Sequence, residues 1–126
     1  MTGPAAHPFH AHVYYDRDER GDAQALHAAL LRRDEPLFVG RMTDGPVGPH
    51  PIPQFEVHFD ESALDALMPQ FEQSGLRILV HPLTDDDLAD HTSLGRWIGK
   101  PVELDVSVLD PPGQNQGVAR FGLTDF

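Results

Sequence analysis

The chain has 126 residues, 40% hydrophobic and 23% charged, which fits one compact domain with a single modest core. A formal net charge of −11 speaks against nucleic acid as a partner, because a binder needs a basic face to displace counterions from phosphates. The lack of cysteine excludes disulfides, thiolate–zinc sites and thiol nucleophiles. No apolar run reaches the ~20 residues of a membrane span, and the first ten residues lack the basic-then-apolar pattern of a signal peptide. A cytoplasmic protein is therefore expected.

In chain order, Phe9 to Tyr15 alternates in side-chain type and reads as a strand. Asp16 to Gly21 reads as a polar turn. Asp22 is a candidate N-cap for a first helix carrying Ala23, Leu26, Ala29 and Leu30 at helical spacing and ending near Arg33. Leu37 to Met42 reads as a second strand. Thr43 to Pro53, with Pro46, Pro49, Pro51 and Pro53, reads as a stiff extended loop. Gln54 to Phe59 alternates cleanly as a third strand. Asp60 caps a second helix whose Leu64, Leu67, Met68 and Phe71 share one face; Pro69 should kink or shorten it and Gly75 should stop it. Leu76 to His81 reads as a fourth strand.

This order is the α+β, ferredoxin-like βαββαβ arrangement, a mostly antiparallel sheet with both helices on one face. Beyond it come an acidic loop, a helical turn near Ser93 to Ile98, and a strand-like stretch from Val102 to Leu109. Residues 1–109 are expected to form a single domain, and 110–126 a C-terminal extension, an arm or tail.

Eight histidines stand against nine Lys and Arg, and their positions matter more than their number. Side chains two apart on a strand share a face, so His10, His12 and Tyr14 point one way, onto the open face of the sheet. Ala11, Val13 and Tyr15 point toward the helices. In the ferredoxin-like strand order the first and fourth strands are neighbours, which lets His81 approach His10 and His12. Three imidazoles on rigid strands suit iron, zinc or copper; a His-x-His pair also suits a half-buried polar face. His50 is held between two prolines, and His91 lies in a polar segment near the fourth strand. His58 and Glu56 face away from Phe55, Val57 and Phe59, and a solvated strand face is the expected setting for His58. His7 and His27 carry no signal.

Glu56 or Asp90 is a candidate third ligand of a 2-His-1-carboxylate site. The run Asp85, Asp86, Asp87 reads as a solvated loop or a helix N-terminus. Arg41 suits a substrate carboxylate or a structural salt bridge. No phosphate-cradling glycine loop, dinucleotide fingerprint or nucleophile elbow is present.

The segments HAHVYYD (10–16), GR (40–41), GPHP (48–51), FEVHFD (55–60), LVHP (79–82), DLADHT (87–92) and W-x-G (97–99) resemble the DOPA 4,5-dioxygenase family in order and spacing. Around the second helix the chain departs from the family's habit, with Met68-Pro69-Gln70-Phe71 and Gln73-Ser74-Gly75. The resemblance implies a homodimer that cleaves the ring of a catechol such as L-DOPA, using non-haem iron(II) and dioxygen. On that reading His10, His12 and His81 are the metal set, with zinc or another divalent ion as a possible occupant. His50 and His91 are acid–base groups, either of which can replace a ligand, and Arg41, Tyr14 and Glu56 contact the substrate. A zinc-dependent hydrolase or isomerase, and a non-catalytic metal-binding dimerisation module, remain as alternatives.

Overall fold

Alternation of apolar and polar side chains builds the centre of the sheet in a computed structural model of the chain, which describes residues 7–114. Strand β1 (Pro8–Tyr14) lies between β3 (Gln54–Asp60) and β4 (Arg77–Pro82), antiparallel to both. The short β2 (Pro36–Val39) extends the sheet beyond β3, and β5 (Arg96–Ile98) extends it beyond β4. The order β2-β3-β1-β4-β5 contains the expected ferredoxin-like arrangement, with one added edge strand.

Helix α1 (Arg20–Leu31) starts before the expected cap at Asp22. A 3-10 turn, Arg17–Glu19, leads directly into it. Asp16 accepts from the Glu19 N–H at 3.1 Å, and Glu19 accepts from the Asp16 N–H at 3.1 Å. This reciprocal capping box satisfies two donors at once, so the stretch expected as a turn is the start of the helix. Asp60 caps the second helical run as expected, through the Ser62 N–H. A 3-10 turn at Glu61–Ala63 then passes into α2 (Leu64–Gln73). Pro69 lies inside α2 without ending it. Gly75, at φ +76°, follows as the left-handed residue that stops a helix.

One sheet face packs under both helices. Ala11, Val13, Phe55, Val57, Phe59 and Ile78 meet Leu26, Leu30, Leu67 and Phe71 there. Burying each of these larger side chains contributes about 1.5–3 kcal/mol relative to exposure. The opposite face, expected to be open, is covered. Tyr14, Leu79 and Val102 form a second apolar cluster on it, with Ile52, Trp97 and Leu104 against them.

The acidic run opens a helix, α3 (Asp87–His91), capped by Asp86, as the second of its two readings expects. Two short segments differ from expectation. The turn expected near Ser93 to Ile98 contains β5 instead. Val102 to Leu109 pairs with no strand among the described residues; it crosses the covered face as a strap with a 3-10 turn at Val106–Val108. Most of the expected tail, 115–126, lies outside the described residues. Among those described, no helix is long and apolar enough to cross a membrane.

Candidate metal centre

The strand register sets histidines side by side. His10 on β1 stands directly opposite His58 on β3 and His81 on β4. His12 follows two residues along the same face. His50 arrives from the proline-rich loop, which folds back on itself: Val47 and His50 exchange backbone hydrogen bonds of 3.0 and 2.9 Å. Gly48, at φ +52°, takes the first central position of that two-residue turn, where glycine is favoured. His91 is the last residue of α3. All six of these histidines are buried.

His58 corrects the sequence reading. It has no exposed surface, its ring stacks on His10 at 4.0 Å, and Phe38 meets its edge at 4.9 Å. Alternation identifies the face a side chain lies on, but not what covers that face.

Two of the histidines meet directly, His12 Nε2 lying 2.9 Å from His81 Nε2. His81 Nδ1 lies 2.8 Å from the Pro82 carbonyl oxygen. That oxygen can only accept, so Nδ1 carries the hydrogen and Nε2 of the neutral ring is a lone pair. His12 Nδ1 donates to Gln54 Oε1 at 3.1 Å, which leaves its Nε2 in the same state. With these tautomers two lone pairs face each other at 2.9 Å, an arrangement that suits a cation shared between them. A proton is disfavoured, because burial first, then neighbouring histidines, holds His12 far below the ordinary value and takes His81 down to about 3.

A metal ion fits the pair. Two nitrogens each about 2.1 Å from one ion, at a right angle, lie about 3 Å apart. His10 supplies a third donor, since its buried Nε2 has no hydrogen-bond partner. His10, His12 and His81 offer ligand atoms within 4.8 Å of one another, as do His12, His50 and His91, and also His10, Glu56 and His58. Burial, then His58, also holds His10 well below its usual value, and burial, then His91, brings His50 to about 3. Neutral imidazole is the form that ligates metal.

The outer partners aim these rings. His91 Nδ1 donates to the Asp87 carbonyl oxygen at 2.9 Å, leaving Nε2 for the cluster. His50 Nδ1 meets the Tyr14 hydroxyl at 2.7 Å. Tyr14 is fully buried and stacks on Trp97 at 5.6 Å, and burial raises its pKa so that it stays a phenol. It does not line the adjoining cavity of about 490 Å³. Glu56 and Arg41 do. Glu56 Oε1 lies 3.4 Å from His58 Nε2, and Oε2 lies 3.9 Å from His10 Nδ1. Arg41 is exposed at the cavity wall, the only Arg or Lys among its described lining residues.

Asp90 is not in any of the three candidate groups. It is buried, accepts from the Thr84 N–H at 2.8 Å and from the Thr84 hydroxyl at 2.6 Å, and burial raises its pKa. His27, on the helix side, meets the Gly40 carbonyl at 2.8 Å. Asp87 opens α3, as the helix N-terminus reading of the acidic run expects, but its burial escaped the sequence reading, because such a run ordinarily marks a solvated segment. Here it is buried and lines the cavity beside His91.

Comparison with known proteins adds an independent line. A DOPA 4,5-dioxygenase of Amanita muscaria is 32% identical over 111 residues, covering 80% of this chain and 49% of that protein. An uncharacterised 21.2 kDa protein of Botryotinia fuckeliana is 30% identical over 114 residues, covering 80% of this chain and 62% of its own length. The chain thus spans about half to three-fifths of the curated relatives it matches. A crystal structure from Nostoc punctiforme, described as a candidate dioxygenase, superposes with a TM-score of 0.77 at 36% identity, covering 82% of this chain and 90% of that one. The model of the Dopa 4,5-dioxygenase family matches residues 9–108, a span that holds all six clustered histidines. By that match and that arrangement, the chain belongs to the Dopa 4,5-dioxygenase family.

Proposed function

We propose that the chain is a non-haem iron(II) extradiol dioxygenase acting on a catechol that carries an amino-acid end, such as L-DOPA. The observation that carries this reading is the pair of facing lone pairs on His12 and His81, 2.9 Å apart in a buried site where a proton is disfavoured. His10, His12 and His81 would hold the iron. When bound, it supplies the redox centre at which the catechol and dioxygen combine.

The remaining groups bind the substrate and move protons. His50 and His91 would be the groups that handle the catechol protons. Tyr14 acts through His50, holding its outer nitrogen at 2.7 Å. Arg41 would take the substrate carboxylate through its planar fork. Glu56 would meet the ammonium group from the same cavity. The strap and the proline-rich loop wall the cavity beside the clustered histidines. The homodimer implied by the family resemblance is part of this proposal, and light scattering of the full chain tests it.

The test is an anaerobic preparation loaded with ferrous iron and then given L-DOPA or a simpler catechol with oxygen. The reading predicts oxygen uptake and a yellow ring-opened product. Tight zinc binding without uptake would favour the hydrolase or isomerase alternative. No metal binding would favour the non-catalytic module.

A further inference from the structure

Asp87 is in none of the groups that could hold a metal, yet both of its carboxylate oxygens have partners. Oδ2 accepts from the Asp110 N–H, at the end of the strap, at 2.9 Å. Oδ1 lies 3.3 Å from His91 Nδ1, whose N–H also meets the Asp87 carbonyl oxygen. One buried carboxylate therefore joins the cover of the cavity to the ring of a clustered histidine.

The rest of the strap is lightly held. Val106 and Val108 are 42% and 54% exposed. The strap is tied by the Asp105 N–H to the Pro49 carbonyl at 2.8 Å, the residue just before His50, and by the Gly113 N–H to the Asp85 carbonyl at 2.6 Å. Val108, Leu109 and Asp110 all line the cavity. With so little apolar surface buried in its middle, the described part of the strap depends on these hydrogen bonds, the one to Asp87 among them.

We propose that Asp87 is a positioning residue that couples closure of the strap to the orientation of His91. With the strap down, the Asp110 N–H holds the carboxylate, whose Oδ1 stands 3.3 Å from His91 Nδ1 and reinforces the bond from that N–H to the Asp87 carbonyl oxygen, so that Nε2 faces the cluster. Lifting the strap at Asp110 releases the carboxylate and loosens His91 at the same moment. Admission of a ligand to the cavity and alignment of one acid–base histidine become a single event. The catalytic consequence rests on the dioxygenase reading; the coupling is a property of the polypeptide and is measured without metal or turnover.

The experiment uses the full chain, free of metal, with two readouts: nitrogen-15 resonances of the His91 ring, and hydrogen exchange of the Leu109 and Gly113 amides. Asp110→Pro removes the strap N–H that meets Asp87 Oδ2, and Leu109, at ψ 153°, already has the extended backbone a residue before proline adopts. Asp110→Ala keeps that N–H and controls for the side chain. Asp87→Ala removes the link itself. We expect Asp110→Pro and Asp87→Ala each to speed exchange in the strap about tenfold or more and to shift the His91 ring resonances. Asp110→Ala, which keeps the N–H, should speed strap exchange less than Asp110→Pro does. If Asp110→Pro frees the strap while the His91 resonances stay at their wild-type positions, the coupling is refuted. Unchanged strap exchange in both linking variants refutes it too. Should Asp87→Ala not fold, Asp110→Pro decides alone. Absence of ring-cleaving activity would leave both readouts, and this proposal, standing.

Discussion

Acidification of the metal-free chain should unfold it well before carboxylates titrate. His50 and His81 titrate at about 3 in the folded chain, against about 6.5 when unfolded. Between those values the unfolded chain binds protons that the folded chain refuses, so stability falls as pH falls. The stabilisation is fully present above about pH 6.5 and is progressively lost toward pH 3. Each group contributes a slope on the order of 1 kcal/mol per pH unit. Lowering the pH from 6.5 to 5 thus costs roughly 3 kcal/mol from these two, and His10 and His12 act in the same direction. That is a large part of the roughly 5–15 kcal/mol that stabilises a typical domain. Burial of Asp90 has the opposite sign, but it acts in the carboxylate range. Trp97, the single tryptophan, stacks on Tyr14 and reports the transition by fluorescence. Urea denaturation in chelator, stepped from pH 7.5 to 5, should show a midpoint that is level above about pH 6.5 and falls below it. A midpoint that stays flat from pH 7 to 5 would refute the claim that these imidazoles are buried and neutral.

Three further outcomes follow from single contacts. Tyr14→Phe leaves His50 Nδ1 without its partner at 2.7 Å; it should cost about 1–3 kcal/mol and slow turnover while the chain still binds iron, as checked by denaturation, metal content and oxygen uptake. Arg41→Ala should raise KM for L-DOPA about tenfold or more and leave KM for plain catechol within about twofold, if a bidentate bond to the carboxylate is lost; steady-state oxygen uptake on both substrates decides. Gly95→Ala would place a Cβ 2.8 Å from Leu79 Cδ1 and 3.2 Å from the Asp90 carbonyl oxygen; overpacking of this kind costs about 1–3 kcal/mol, read from the Trp97 fluorescence transition.

The strands and the main histidine face were legible because a period of two is a local property. His10, His12 and His81 follow directly from it, and the register of β1 with β4 places them together. His58 was misread because burial depends on the proline-rich loop, α3 and the strap, which fold over the sheet from distant parts of the chain. Asp87 was hidden for the same reason: its partners, His91 and Asp110, meet it only after that folding. The start of α1 was legible in principle, since Asp16 and Glu19 have the spacing of a capping box. Strand β5, three residues long, is too short to show a period. Val102 to Leu109 has the apolar content of a strand, but it crosses the face of the sheet instead of pairing at an edge.

The central claim, that these histidines form one metal centre, is tested most directly by anaerobic titration of ferrous iron into the wild-type chain and into His12→Ala and His81→Ala, with His27→Ala as control. His27 lies on the helix side, hydrogen-bonded to Gly40, away from the cluster. The wild type and the control should take up equimolar iron, and both ligand variants should lose it at the same concentrations. Iron bound to His12→Ala with wild-type stoichiometry and affinity would contradict the assignment.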